Sequence, residues 1–510
     1  MVLGTSSGAG KSWLTTALCR YYSNLGLKVA PFKAQNMSNN ARVVPAQDGA
    51  YGEIGAAQYF QALAAGAQPD VRMNPLLLKP EADTHSQVVL LGKVSPELTQ
   101  LPWRGRSALV WPQIAAALDS LRAENDVVVI EGAGSPAETN LAASDVVNMR
   151  VAEYAGANCL LVADIDRGGA FAHLYGTWAL LPEHQRHLIK GFVLNKFRGD
   201  ASLLAPAPQD LEARTGVPTL GVIPMHYGHG LPEEDGVFDA APSPAVLQDK
   251  SAKNGADAAW VAPEKVVKIA IVAYPRISNL DEFQPLKNCA GVHVIWARSP
   301  AEVQGADWII LPGSKATADD LRWLRAQKLD AAIAAHVAAG RQVLGICGGL
   351  QMLGEALIDP ENIDGNSPGL GLLPLVTAFA PAHEKTVRPF SGSLGVMQGA
   401  WAALSGVALT AYEIHQGHTA LHPAMAAAGC TAAAVLPDGL GWLSDSGASS
   451  GLVLGTYLHG LFEDARVLQA LFGQKARSLD SVFEGLAANL QTAVGGEVLQ
   501  GLLGAGISRP

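Results

Sequence analysis

The five cysteines, Cys19, Cys159, Cys289, Cys347 and Cys430, form no CxxC pair and no regular spacing. A zinc site and a disulfide framework are therefore not expected. No apolar stretch reaches the roughly 18 residues that a membrane helix needs. The chain does not open with a charged segment followed by an apolar one, so no signal peptide is expected and the cytoplasm is the expected compartment. Charge is sparse too. Only 16% of residues are charged, the net charge is -10, and no long run has one sign. That argues against nucleic acid as the main partner, and no membrane partner is expected. What remains is 49% apolar residues in 510 positions, the composition of two or three compact domains that each bury their own core.

Short apolar runs that end in a polar residue alternate with helical stretches along the first half. They are Lys28 to Lys33, Val127 to Glu131, Cys159 to Asp164, Gly191 to Asn195 and Thr219 to Pro224. Such runs predict buried parallel strands in an α/β sheet, with ligands beyond their carboxyl ends. Lys33, Glu131, Asp164 and Asn195 fall at those ends. The pattern stops where Ala, Pro, Asp and Lys accumulate, which predicts a linker over 238–265. A second α/β series follows at Val267 to Ala273, Val292 to Ala297, Trp308 to Pro312, Gln342 to Cys347 and Leu452 to Leu458. The expected layout is a first domain over 1–237, the linker, a second domain over 266–475 and a helical tail with a frayed end over 476–510.

Residues 4–12 read Gly-Thr-Ser-Ser-Gly-Ala-Gly-Lys-Ser. A strict phosphate loop, G-x-x-x-x-G-K-[ST], puts its first glycine at position 5, where this chain has Thr5; Gly4 comes one place early. The chemistry survives the slip. Small residues up to Gly10 let backbone N–H groups wrap a phosphate, Lys11 supplies charge, and the Ser12 hydroxyl can hold Mg²⁺. Leu14, Leu18 and Tyr21 give the helical spacing that must follow. Only three residues precede Gly4, so the first strand is short and a start further upstream is conceivable. Glu131, at the end of an apolar strand, is placed to bind Mg²⁺ directly or through water.

The second domain carries Val-Leu-Gly-Ile-Cys-Gly-Gly-Leu-Gln at 343–351. A strand that runs into Cys347 and a helix that leaves it make a nucleophile elbow. The helix N-terminus and the Gly348 N–H supply donors for an oxyanion, and a second donor is expected from Gly313 in Leu-Pro-Gly-Ser (311–314). A nucleophilic thiol needs a base. Of 13 histidines, His459 ends a strand in Gly-Thr-Tyr-Leu-His-Gly. His415, His418 and His422 are spaced like metal ligands, but no carboxylate or cysteine pattern joins them, and a polar loop or substrate contact is the expectation.

Together these segments resemble the cobyric acid synthase family, the glutamine-hydrolysing amidotransferases of cobalamin biosynthesis. The resemblance also rests on Pro-Phe-Lys-Ala-Gln-Asn-Met (31–37), Met-Asn-Pro-Leu-Leu-Leu-Lys-Pro (73–80), Glu-Gly-Ala-Gly-Ser-Pro-Ala-Glu (131–138) and Val-Ala-Asp-Ile-Asp-Arg-Gly-Gly (162–169). Asn-Lys-Phe-Arg-Gly-Asp (195–200), Pro-Arg-Ile-Ser-Asn (275–279), Tyr-Glu-Ile-His (412–415) and Thr-Tyr-Leu-His-Gly (456–460) complete it. It implies an α/β protein: a phosphate-loop, dethiobiotin-synthetase-like parallel-sheet domain, then a class I glutamine amidotransferase domain of flavodoxin-like type. It implies small-molecule substrates (ATP, glutamine and a corrinoid) with Mg²⁺, and amidation of carboxylates b, d, e and g of adenosylcobyrinic acid a,c-diamide. By resemblance Cys347 is the nucleophile, His459 the base, Lys33 a phosphate contact, Asn195 a base-recognition residue, and Glu53 a further metal candidate. Arg42, Arg72, Lys79, Arg167 and Arg198 are candidates for corrinoid carboxylates. Most class I glutaminases carry an acid two residues after the histidine; here that position is Leu461. A Cys–His dyad is therefore expected, with Glu463 and Asp464 the nearest acids in sequence.

Three alternatives stand beside this reading. The related a,c-diamide synthase shares its chemistry, but the motifs at 31–37 and 73–80 favour the first family. A phosphate-loop switch ATPase with an inactive partner domain is disfavoured by the intact Cys347 and His459. A corrinoid carrier is disfavoured because Asp83-Thr84-His85-Ser86-Gln87 ends in Val88 and not in glycine.

Overall fold

The Val-rich runs of the first half lie side by side as parallel strands in a computed structural model, which describes residues 1–46, 48–82, 84–232, 266–360, 364–379, 385–473 and 477–504. The expected linker at 238–265 lies outside the described residues. Val2–Gly4 pairs with Cys159–Asp164, which pairs with Ile189–Phe197, which pairs with Thr219–Pro224. On the other side Val29–Phe32 pairs with Val127–Ile130, and a bridge from Val2 to Glu131 joins the two groups. Burial on both faces explains why these strands read as continuous apolar runs.

The helix after the phosphate loop, Lys11–Asn24, buries Leu14, Leu18, Tyr21 and Tyr22. Its packing partner comes from the far end of the chain. Helix Leu479–Val494 places Val482, Phe483, Leu486 and Leu490 in the same cluster. Arg20 pairs with Asp480 at 2.5 Å and Glu484 at 2.9 Å, and the Tyr22 hydroxyl donates to the Leu499 carbonyl at 2.8 Å. The expected frayed tail thus completes the first domain's core.

A second departure from the expected alternation lies between Val29–Phe32 and its sheet neighbour Val127–Ile130. Gln35–Met37 pairs with Leu76–Ala82, which continues antiparallel into His85–Leu90 and Lys93–Val94. Ala41–Pro45 and Tyr51–Gly55 form a separate antiparallel hairpin. Helix Ala56–Ala64 leaves that hairpin directly.

The second domain is built on a seven-stranded sheet in the order Val292–Ala297, Val267–Val272, Trp308–Leu311, Gln342–Ile346, Val453–Thr456, Gly441–Ser444, Ala432–Leu436. The first five are parallel and the last two antiparallel. Beside it Ala408–His415 pairs with Thr386–Ser393 and with Leu458–His459. Tyr412 and Ile414 of that strand pack on Ala41, Leu77 and Val89 of the first domain. The excursion at 35–94 is therefore the surface against which the second domain sits.

Candidate active sites

Cys347 stands between strand Gln342–Ile346 and helix Gly348–Leu353 at φ 52, ψ -108. A non-glycine residue in this region stores strain of about 1–3 kcal/mol and persists only where its surroundings fix it. They do: the Cys347 N–H donates to the Thr456 carbonyl at 2.7 Å, and the thiol reaches the Ile414 carbonyl at 3.5 Å. The elbow's glycines are needed for close approach. A Cβ on Gly349 would lie 1.9 Å from the Leu311 carbonyl oxygen, and one on Gly348 would lie 2.8 Å from the Ser314 nitrogen. A Cβ on Gly313 would lie 3.0 Å from His459 Cε1. The structure therefore brings Cys347, Gly348, Gly313 and His459 to one point, with both residues expected to line the oxyanion hole beside the thiol and its base.

The dyad expected from Leu461 is corrected here. His459 Nδ1 donates to Glu282 Oε1 at 3.0 Å, and the Gly460 N–H donates to Glu282 Oε2 at 3.0 Å. Glu282 and His459 are both buried, and the Cys347 side chain is close enough to act on His459 electrostatically. Burial alone would lower the His459 pKa; Glu282, and then Cys347, outweigh it and raise it to about 10. The acid lies 177 residues before the histidine, in the turn Leu280–Phe283. Its sequence signal was an acidic pair, Asp281-Glu282, one residue beyond Pro-Arg-Ile-Ser-Asn, after Leu280. The two nearby acids do other work. Asp464 caps helix Ala465–Phe472 by accepting from the Arg466 N–H at 2.9 Å, and Glu463 faces Arg42 at 2.5 Å.

The histidine trio does not converge. His415 lies 3.1 Å from Glu413 and stacks on Tyr457, while the His422 ring accepts from the Ala424 N–H. Among the described residues no group of His, Cys, Asp or Glu could hold a metal ion as a cluster of three.

In the first domain Gly10 adopts φ 100, and a Cβ there would lie 2.0 Å from Asn195 Nδ2. Asn195 Nδ2 donates to the Ala9 carbonyl at 2.9 Å, so this side chain braces the loop. Lys11 Nζ donates to the Ser6 and Gly134 carbonyls at 3.0 and 3.1 Å. Glu131 is fully buried and gathers its neighbours: Ser12 Oγ and Lys33 Nζ each donate to Oε1 at 2.9 Å, and Gln61 Nε2 donates to Oε2 at 2.5 Å. Burial pushes the carboxyl up, but Lys33, with Gln61 and Lys11, holds it below the usual range. A hydroxyl and an ionised carboxylate 2.9 Å apart form an all-oxygen donor pair that fits Mg²⁺, which takes few protein ligands and keeps water and phosphate oxygens.

Gly10, Lys11, Ser12, Lys33, Glu131 and Asn195 line one cleft of 2060 Å³. Its far wall is the edge strand of the second domain, with His293 and Trp296, so the cleft lies between the domains. Arg167 lines it and is exposed. Arg198 pairs with Asp166, itself a lining residue.

The other cationic candidates are corrected. Arg42 is buried between Asp281 and Glu463, and Lys79 is buried against Glu53 at 2.6 Å. Arg72 is tied to Asp70 at 2.8 Å and Glu124 at 2.5 Å. None of the three faces the cleft, because each already has carboxylate partners. Glu53, named as a metal candidate, is not among the cleft-lining residues and faces cations: Lys79 and Lys385 pair with it and, against burial, hold its carboxyl far below the usual range. Among the described residues no helix is long and apolar enough to cross a membrane.

Residues 1–229 match the CobQ/CobB/MinD/ParA nucleotide binding domain, and residues 268–467 match the CobB/CobQ-like glutamine amidotransferase domain. A cobyric acid synthase of Acidovorax sp. (strain JS42) is 71% identical over 96% of this chain and 94% of its own length. Those of Acidovorax ebreus (strain TPSY) and Polaromonas sp. (strain JS666 / ATCC BAA-500) are 70% and 66% identical, over 96% and 99% of this chain and 96% and 98% of their own. Among solved structures, PurLQS from Thermotoga maritima aligns over 41% of this chain and 98% of its own at 17% identity, with a TM-score of 0.31. With a nucleotide-binding domain, a glutamine amidotransferase domain and near full-length relatives at this identity, the chain belongs to the cobyric acid synthase family and is a glutamine-hydrolysing amide ligase of cobalamin biosynthesis.

Proposed function

We propose that the chain uses ATP and glutamine to amidate the b, d, e and g carboxylates of adenosylcobyrinic acid a,c-diamide, giving cobyric acid. The observation that carries this reading is the presence of two separate sites: a Cys347–His459–Glu282 constellation in one domain and a phosphate loop with Lys33 and Glu131 on an interdomain cleft in the other.

At the first site Cys347 passes its thiol proton to His459 and its sulfur attacks the glutamine amide carbon. The oxyanion that forms takes hydrogen bonds from the Gly348 N–H and from the Gly313 strand. His459, held protonated by Glu282, gives its proton to the departing nitrogen, and ammonia leaves. Water, deprotonated by His459, then cleaves the thioester to glutamate, and the proton returns to the Cys347 sulfur.

At the second site a corrinoid carboxylate oxygen attacks the γ-phosphorus of ATP and expels ADP. Ammonia attacks the resulting acyl phosphate and expels phosphate, leaving the amide. Lys11 and Lys33 neutralise the transferred phosphoryl oxygens. Mg²⁺ bound at Ser12 and Glu131 would supply further charge neutralisation at the phosphates. Corrinoid carboxylates find cations on the cleft wall in Arg150, Arg167, Lys287 and Arg477.

Mass spectrometry tests the reading. With ATP, Mg²⁺ and glutamine, adenosylcobyrinic acid a,c-diamide gains up to four amides; a protein that amidated only cobyrinic acid, and stopped at two, would be the a,c-diamide synthase instead. Cys347→Ala abolishes amidation from glutamine and keeps amidation from high ammonia. Equal loss from both nitrogen sources would contradict the two-site scheme.

A further inference from the structure

The turn that carries Glu282 is held from the other domain. Arg42, on the hairpin strand Ala41–Pro45 of the first domain, is 2% exposed. Its guanidinium pairs with Asp281, the residue before Glu282, and with Glu463 Oε1 at 2.5 Å, four residues after His459. It lies 5.3 Å from the Tyr59 ring centroid, 5.0 Å from that of Phe60 and 5.1 Å from that of Tyr412. The Tyr412 ring also stacks on the His459 ring at 5.5 Å. Backbone ties run beside it: Asn279 Nδ2 donates to the Ala41 carbonyl and the Leu280 N–H donates to Asn40 Oδ1, both at 2.8 Å.

Stability is a poor explanation for this arrangement. One cation faces a buried carboxylate, Asp281, and a partly buried one, Glu463, and among the described residues Arg42 Nε and Asp281 Oδ1 have no hydrogen-bond partner. Desolvating such a group costs more than an apolar cluster of the same volume, and the best-attested use of buried ion pairs is to fix register. What is fixed here is the pair of turns that deliver the acid and the base of the glutaminase site.

We propose that Arg42 is a positioning residue of the glutaminase, contributed by the ligase domain: it sets the alignment of Glu282 and His459 without touching glutamine. The inference rests on the Cys347–His459–Glu282 reading above. Full-length wild type, Cys347→Ala, Arg42→Met and Arg42→Lys are compared for glutamine hydrolysis and for ammonia-driven amidation. The expected result for Arg42→Met is a fall in glutaminase kcat of about 30-fold or more, with the glutamine KM and the ammonia-driven rate each within about threefold of wild type. Arg42→Lys, which keeps the charge and loses the fork, recovers part of the lost kcat.

A purely structural role would depress both activities together. If Arg42→Met loses both, Asp281→Asn decides: selective loss of the glutamine-driven rate supports the proposal, and equal loss or no loss overturns it. A glutaminase kcat within about threefold of wild type in Arg42→Met also overturns it. Cys347→Ala keeps the two failures apart. Where it silences glutamine hydrolysis, the nucleophile reading stands and only the role of Arg42 falls.

Discussion

In the proposed glutaminase reaction His459 meets two requirements that pull in opposite directions. It must be buried to work in a dry site, which lowers its pKa, and it must carry a proton for the leaving ammonia. Glu282 does most to resolve the conflict: its carboxylate, and after it Cys347, outweigh burial and lift the histidine to about 10. A group with a raised pKa stays protonated below that value and loses the proton as pH climbs through it. Glutamine hydrolysis should therefore show no loss on the basic side until pH approaches 10. In Glu282→Gln the anion is gone, so the basic limb moves to lower pH by one unit or more. The rate falls as well. Acid-to-amide exchange costs roughly 10⁴ in a serine-protease triad, and a thiol needs less help from its base, so about 10² is expected here. A pH–rate profile of the variant that superimposes on wild type would remove Glu282 from the catalytic unit.

Local chemistry is what made the loop and the elbow legible. A phosphate is wrapped by consecutive backbone N–H groups, and a nucleophile elbow is a strand, a turn and a helix in one run, so Gly10, Lys11, Ser12 and Cys347 could be picked out from neighbouring letters. Glu282, Arg42 and Lys79 could not. An arginine or lysine ordinarily faces solvent, and nothing near Arg42 in sequence announces that Asp281, 239 residues on, will cover it. The same holds for the excursion at 35–94, whose strands pair mostly with each other and whose purpose is an interface that sequence periodicity does not encode. Gly10 gives the element-level test. At φ 100, with a Cβ 2.0 Å from Asn195 Nδ2, Gly10→Ala must displace the side chain that braces the loop. The variant should lose amidation from glutamine and from ammonia alike by about 10²-fold or more, while Cys347 still hydrolyses glutamine. Ammonia-driven amidation that survives at the wild-type rate would show that the loop does not hold the phosphates.

The chain folds back on itself: its last long helix closes the core of its first domain. Leu490 is fully buried in the cluster that holds Leu14, Leu18 and Tyr22, and so it packs behind the helix that begins at Lys11. The phosphate-loop helix and helix Leu479–Val494 thus share one core, although the whole glutaminase domain lies between them in sequence. Removing buried methyl groups there should be felt at the phosphate loop first. Leu490→Ala deletes a core side chain and leaves a cavity, for which about 2–5 kcal/mol is the usual cost. The glutaminase core, a separate cluster around Ile269, Ile310, Leu344 and Leu454, loses no contact. Two thermal inactivation curves on the same protein distinguish the possibilities, one followed by ammonia-driven amidation and one by glutamine hydrolysis. The amidation curve should shift to lower temperature by several degrees, the change that a loss of this size produces in a domain of this length, while the hydrolysis curve moves less. Parallel shifts of equal size would mean that the two domains unfold as one, and that the C-terminal helix stabilises the molecule as a whole rather than the ligase domain.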